Sequence, residues 1–337
     1  MDALPLPPAT DLDLPDGDRL RVELTVSCRD ADGLPKVVDA GELRDEHGFR
    51  VQVMHEGTRV VAGAYHGAWM TEIIRRLRGH HEPQEELVVH HILERLRAER
   101  ETRRTVVVEL GCFWAYYAIW AMRATGGRAL LVEPDPGNLK VGRANVRLNR
   151  LDATFMQAAV GGAQGDMTRF VCESDNVERE VPVVTVPGLM AEHRLEQIDL
   201  LHLDVQGAET DVLSRALNTA SGRRVRFLVV STHHHSISGD PLTHQRSLAL
   251  LKQAGAHIIA EHTVGESFSG DGLIAASIDP RDRDLVVGIS RCRYRDSLFG
   301  ELEPELGGTR PTDNCDAPAS PLETRPSRRI RGEGSAA

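Results

Sequence analysis

The chain has 337 residues, 41% of them hydrophobic, and a formal net charge of −10. That length suits one large domain with an appendage and a core of its own. The acidic balance leaves no electrostatic footprint for nucleic acid, and no stretch reaches the roughly 18 uninterrupted apolar residues of a membrane helix.

Residues 1–18, rich in Pro, Asp and Leu, read as a flexible tail without the basic and apolar segments of a signal peptide, so a cytoplasmic location is expected. Residues 19–100 read as a small α+β appendage or lid. RLRVELTVSC alternates with the period of a half-buried strand, and RVQVMHEGTRVVAGAY repeats the pattern around a Glu56-Gly57 turn. Exposed edges on such strands make a homodimer an expectation. AWMTEIIRRLRG places Trp69, Met70, Ile73, Ile74 and Leu77 at helical spacing before a Gly79 stop. HHEPQEELVVHHILERLRAER opens a further helix, with Pro83 in its first turn and Glu85 and Glu86 at its positive end. Its first residues (His80, His81, Glu82, Gln84, Glu85, Glu86) read as a helix start exposed to water; the alternative is an element folded over a cleft, shared with Met54, His55, Tyr65 and Trp69.

From residue 101 to 300 strand and helix alternate. Strands are expected at 105–110, 128–133, 154–160, 198–203, 225–231, 257–262 and 273–277, helices at 114–125, 136–149, 187–196, 207–219 and 242–254, and an extra hairpin near 168–186. Alternation of this kind gives parallel strands joined by crossover helices, hence an α/β, doubly wound, Rossmann-like open sheet that binds ligands beyond the carboxyl ends of its strands. Residues 301–337, rich in Pro, Gly, Ser and charge, read as a disordered tail. The five cysteines (Cys28, Cys112, Cys172, Cys292, Cys315) form no CxxC pair, which argues against a disulfide framework or a thiolate zinc site.

Within that domain, TVVVELG ends at Gly111 and RALLVEP carries Glu133, the spacing of a strand, turn, helix and strand unit that holds a nucleoside. Cys112, Phe113, Trp114 and Ala115 crowd a loop where a diphosphate would need bare backbone, so the loop favours S-adenosylmethionine over a nicotinamide dinucleotide, with Glu109 drawing the methionine ammonium. IDLLHL delivers Asp204, Gly207 permits a tight turn, and Glu209 falls in the next helix's first turn. VRFLVVST runs into His233, His234 and His235, of which one or two can face the cleft beside Asp204. A neutral imidazole there suits a general base. Asp204 and His233 could instead share a divalent metal with substrate oxygens. Asn138, Asn145 and Asn149 read as caps and surface groups, with Asn138 near enough to the adenosine edge to touch it.

In order, ELGCFWAYYAIW, LLVEPDPGNLKVGRANVRLN and IDLLHLDVQGAETDVL resemble the FkbM family of S-adenosylmethionine-dependent methyltransferases over residues 105–260. The resemblance implies a class I methyltransferase fold, a seven-stranded sheet with its last strand antiparallel, and transfer of a methyl group to a hydroxyl, often on a sugar or polyketide-type natural product. Carried onto this sequence, it lines the methionine moiety with Glu109 and Gly111, binds the ribose with Glu133 and sets Asp204 beside the methyl group. The full cofactor-binding set expected is Glu109, Gly111, Phe113, Glu133, Pro134, Ala159 and Asp204, and the catalytic set His233, His234, His235 and Asp204. The acceptor expected is a small molecule or carbohydrate. The alternatives are a metal-assisted O-methyltransferase and a non-catalytic, methyltransferase-like binding protein.

Overall fold

The computed structural model describes residues 14–46, 48–99, 103–219 and 222–292; the expected tail at 301–337 and most of that at 1–18 lie outside them. The N-terminal portion contains α1 (Asp16–Ser27), β1 (Leu43–Glu46), β2 (Phe49–Val53), β3 (Arg59–Val61), α2 (Gly67–Arg76) and α3 (Pro83–Ala98). The α/β portion follows with β4 (Val106–Leu110), α4 (Tyr116–Thr125), β5 (Arg128–Val132), α5 (Pro136–Leu148), β6 (Thr154–Met156), β7 (Ala159–Val160), β8 (Met167–Val171), β9 (Glu178–Val184), α6 (Val186–Glu192), β10 (Ile198–Leu203), α7 (Glu209–Leu217), β11 (Val225–Thr232), α8 (His235–Ser238), α9 (Thr243–Gln253), β12 (His257–His262) and β13 (Gly272–Ser277).

Seven strands form the central sheet in the order β12-β13-β11-β10-β4-β5-β6. All neighbours are parallel except β13, which runs antiparallel to both β11 and β12. This is the sheet expected of a class I methyltransferase. The hairpin expected near 168–186 is β8 and β9, joined on one edge by β7. The single strand expected at 154–160 is split, so that β6 stays in the central sheet and β7 leaves it.

Side chains alternate across each strand, and the two faces carry different loads. Val108, Leu130, Leu201, Leu228 and Ile274 pack one face against α6, α7 and α9. Val107, Leu131, Leu200, Phe227 and Val229 pack the other against α3, α4 and the N-terminal elements. On this second face the same period of two brings Glu109, Glu133, His202 and Ser231 to the carboxyl ends of the strands.

Residues 19–28 form most of α1 and not a strand. Val22, Thr25 and Val26 are its buried residues, spaced i, i+3 and i+4, so a helical stripe satisfies the same apolar positions. The helix begins at Asp16, inside the segment expected to be a tail. The three-stranded sheet β1-β2-β3 is tied down along β3 by α5: Asn145 Oδ1 accepts from Val61 N at 2.8 Å and Asn149 Oδ1 from Arg59 N at 2.9 Å. Both asparagines are buried, so they are docking groups and not surface caps. One of the two edges invoked for a homodimer is thereby occupied.

Candidate active site

The first loop keeps the course that glycines would give it. Gly111, Phe113 and Ala115 all adopt positive φ, at +77°, +35° and +62°. Positive φ costs a bulky residue conformational energy, and Phe113 holds it because its amide donates to Glu133 Oε2 at 3.1 Å. Gly111 answers a packing demand as well as a ligand: a Cβ there would overlap the Asp204 carbonyl oxygen. Gly207, at φ +105°, likewise leaves room for Ser238.

Glu133 accepts from two backbone amides, Phe113 N and Asp135 N, the second at 2.9 Å. Burial raises it to about 7 against those donors. Glu109 accepts from Ala118 N at 3.1 Å and is raised by burial to about 7, with His202 opposing. Each carboxylate oxygen retains a lone pair, so both can still receive ribose hydroxyls or an ammonium. Pro134 passes its chain into Asp135, which caps α5 by accepting from Gly137 N at 2.7 Å and takes hydrogen bonds from Ser174 N and Oγ at 2.9 and 2.6 Å. The tip of the β8–β9 hairpin is thus docked two residues from Glu133. Ala159 is buried in β7, opposite Val183.

The HHEPQEE cluster does not face water. Apart from Glu82, which is half-buried, its members are buried against the carboxyl ends of the sheet. Glu86 takes hydrogen bonds from the Nδ1 atoms of His80 and His81. Its carboxyl is held well below the usual range, the histidines outweighing burial. His81, despite burial, is pushed up to about 10 by Glu82 and Glu86. Glu82 is also bound by Tyr117 OH at 3.0 Å. Glu85 reaches across to His202 Nε2 at 2.7 Å and Ser231 Oγ at 2.9 Å. That bond raises His202 to about 9 against the effect of burial.

At the end of β10, Asp204 Oδ1 lies 3.1 Å from His233 Nε2, and on the other side of the ring His233 Nδ1 lies 2.8 Å from Glu209 Oε1. A third carboxylate, Asp271, stands 3.7 Å from His233 Nε2. The structure therefore brings Asp204 and His233 together. Burial disfavours the imidazolium, yet Asp271, Asp204 and Glu209 together raise His233 well above its ordinary value. With a carboxylate at each ring nitrogen, the charged form of His233 is favoured, which suits it less to accepting a proton, and neither nitrogen is left open to a metal.

His234 caps α8, its Nδ1 accepting from Ser236 N at 3.3 Å, and His235 is exposed, so neither joins Asp204. Glu209 does double duty, also accepting from Gly207 N at 3.0 Å. Among the described residues His55, His80 and Glu86 are close enough for a metal, within 4.8 Å. The two imidazoles are stacked, with centroids 4.2 Å apart and planes 20° from parallel, so their in-plane lone pairs run side by side and do not converge.

Asp271 was not legible as a functional residue. Its only sequence signal is an acid between Gly270 and Gly272 just before a strand. Near Asp204, Tyr65, His66 and Phe113 form an aromatic wall: Tyr65 contacts Phe113 with centroids at 5.1 Å, and Phe113 contacts His66 at 5.9 Å. Tyr65 and Phe113 are half-buried and His66 is exposed. Tyr65 is further braced by parallel stacking on Trp114 at 4.3 Å.

The seven-stranded sheet with its last strand reversed is the fold of a class I S-adenosylmethionine-dependent methyltransferase, and Glu109, Glu133 and Asp204 stand at the ends of its strands. Residues 98–258 match the family described as the methyltransferase FkbM domain. Solved structures with a similar fold include the METTL16 MTase domain, at 11% identity and a TM-score of 0.42, covering 80% of this chain and 83% of that one. Others are the magnesium protoporphyrin IX methyltransferase (ChlM) from Synechocystis PCC 6803 with bound SAM, at 13% identity, TM-score 0.36 and coverages of 58% and 82%, and the precorrin-6y C5,15-methyltransferase from Geobacter metallireducens GS-15, at 17%, 0.35, 56% and 86%. No curated protein matches the sequence. No helix of the described residues is long and apolar enough to cross a membrane.

Proposed function

We propose that this methyltransferase transfers its methyl group to a hydroxyl of a small polyhydroxylated acceptor, a sugar or a glycosylated or polyketide natural product. The observation that carries the reading is the proximity of the Tyr65, His66 and Phe113 wall to the carboxylates Asp204 and Asp271. Aromatic faces stack on the C–H surface of a sugar ring, and carboxylates accept its hydroxyl hydrogens. Packing of the His66 ring against Tyr65, Trp69 and Phe113 lowers it from its ordinary value, which disfavours a charge on the wall.

The bound cofactor supplies a methyl carbon already activated by a positively charged sulfur. Glu133 is suited to the ribose hydroxyls and Glu109 to the ammonium, and both ionise more readily once a cation or hydroxyl donors arrive. What remains for the protein is alignment of the acceptor oxygen with that carbon and removal of its proton. His233 contributes as a fixed cation holding Asp204 and Asp271 in place.

The reading is tested by incubating the full chain with S-adenosylmethionine and a panel of neutral glycosides, free sugars, amines and carboxylic acids. It expects O-methyl products from the glycosides and sugars, identified by mass and by NMR. Methylation confined to amines or carboxylates would overturn it.

A further inference from the structure

We propose that Asp271 is the residue that takes the acceptor's hydroxyl proton, with Asp204 and the His233 imidazolium as its positioning partners; this deepens the O-methyltransferase reading and rests on it.

Three carboxylates surround His233, and their exposures separate them. Glu209 is fully buried, whereas the side chains of Asp204 and Asp271 keep 30% and 33% of their surface exposed. Only those two can meet a substrate entering the cleft. Asp204 is the closer to His233, at 3.1 Å against 3.7 Å, and His233 holds its carboxyl below the ordinary aspartate range against the effect of burial. Asp271 keeps the weaker share of that cation. Burial raises it to about 7, opposed by His233 and reinforced by Asp204, Glu82 and Glu85, the charged groups that face it. Of two carboxylates within reach of one hydroxyl, the more basic accepts the proton more readily.

Asp271 is also held in place before any ligand arrives. Gly270 passes through φ +123°, and a Cβ at Gly272 would press on Thr232 Oγ1, His244 Nδ1 and Val264 N, so the flanking glycines allow a course other residues would not. Ser267 Oγ accepts from Ser269 N at 3.1 Å and Gly270 N at 3.0 Å. Gln84, buried in the first turn of α3, accepts from Phe268 N at 3.0 Å, and Thr25 Oγ1 donates to Phe268 O at 2.9 Å. The N-terminal elements therefore fix the segment that presents the carboxylate, which is the preorganisation a base requires.

In the step, the acceptor oxygen forms a bond to the methyl carbon, the carbon–sulfur bond breaks with its electron pair left on sulfur, and the hydroxyl proton passes to an Asp271 carboxylate oxygen. No other reactant is needed. The protonated carboxyl returns the proton to water through its exposed side.

Asp271→Asn keeps the shape and cannot accept a proton. It should lower kcat by about 10²- to 10⁴-fold, leave the S-adenosylhomocysteine affinity measured by calorimetry within about twofold, and remove the acid limb near pH 7 from the wild-type pH profile of kcat/KM. Asp271→Glu should recover part of the rate. A variant Asp271→Asn that turns over within about threefold of wild type, on whichever acceptor the wild type methylates, overturns the assignment. The O-methyl reading fails separately, when the wild type itself gives no O-methyl product. Independently of activity, ¹³C NMR of carboxyl-labelled aspartate should show a group titrating near 7 that vanishes in Asp271→Asn; its absence from the wild type would overturn the assignment too.

Discussion

The two ends of the cleft are built from the same material and held in opposite ways. At the proposed cofactor end Glu133 is held by two backbone amides, neutral donors that leave its charge uncompensated, and Glu109 adds to its one amide only a more distant His202, 3.8 Å away. At the acceptor end Asp204, Glu209, Glu85 and Glu86 are each matched by a buried histidine. Uncompensated carboxylates wait for a cationic ligand, whereas compensated ones fix a shape without any ligand. The first end is therefore tuned for binding and the second for positioning, and substitutions at the two should fail differently.

The largest effect is expected where the positioning end is broken from below. Glu85→Ala leaves buried His202 and Ser231 without their partner, and loss of one member of a buried pair costs about 3–5 kcal/mol, read as a lower midpoint in urea denaturation. The pH dependence has a definite sign. His202 is raised in the folded protein to about 9, above the roughly 6.5 of an unfolded chain. Its contribution is complete below pH 6.5 and is lost as pH rises through about 9. Glu85→Gln should flatten that alkaline loss, and an unchanged slope would contradict the pairing.

A smaller effect separates the cofactor end. Because burial raises Glu109 and Glu133 to about 7, a ligand that prefers them ionised must displace protons. Affinity for S-adenosylmethionine should fall by up to about tenfold per pH unit per group below pH 7, with proton release visible as a dependence of calorimetric heat on buffer. Affinity that does not change between pH 5.5 and 7.5 would mean that these carboxylates do not meet the cofactor. The smallest effect lies in the loop between them. Ala115→Gly relieves about 1 kcal/mol of positive-φ strain and adds a similar entropic cost on folding, so the melting temperature should move by no more than a few degrees.

Much of this molecule was legible from one sequence, and the exceptions share a cause. Strands with continuous apolar runs and helices with caps followed local rules, and the reversed last strand followed from resemblance. Glu133 and Asp204 could be named because a strand end is a local feature. The buried state of the HHEPQEE run could not be read, because Glu85 finds its partners 117 and 146 positions away, and a dense polar run has no local mark of burial. The surroundings of His233 could not be read, since Asp204 and Glu209 meet it from one strand-to-helix turn and Asp271 from a segment 67 residues further on. The α1 helix was misread because apolar residues spaced two apart can satisfy a strand or, with Thr25 included, a helix. Asn145 and Asn149 looked like caps for want of any sign that a strand lay across them.

The division of labour in the cleft is tested most directly by titrating S-adenosylhomocysteine into Glu133→Ala and Asp271→Asn side by side with the wild type. The account predicts that Glu133→Ala loses binding by about 100-fold or more, the scale of two lost hydrogen bonds to a charged group, while Asp271→Asn binds as the wild type does. Tight binding retained by Glu133→Ala, or lost equally in both, would contradict it.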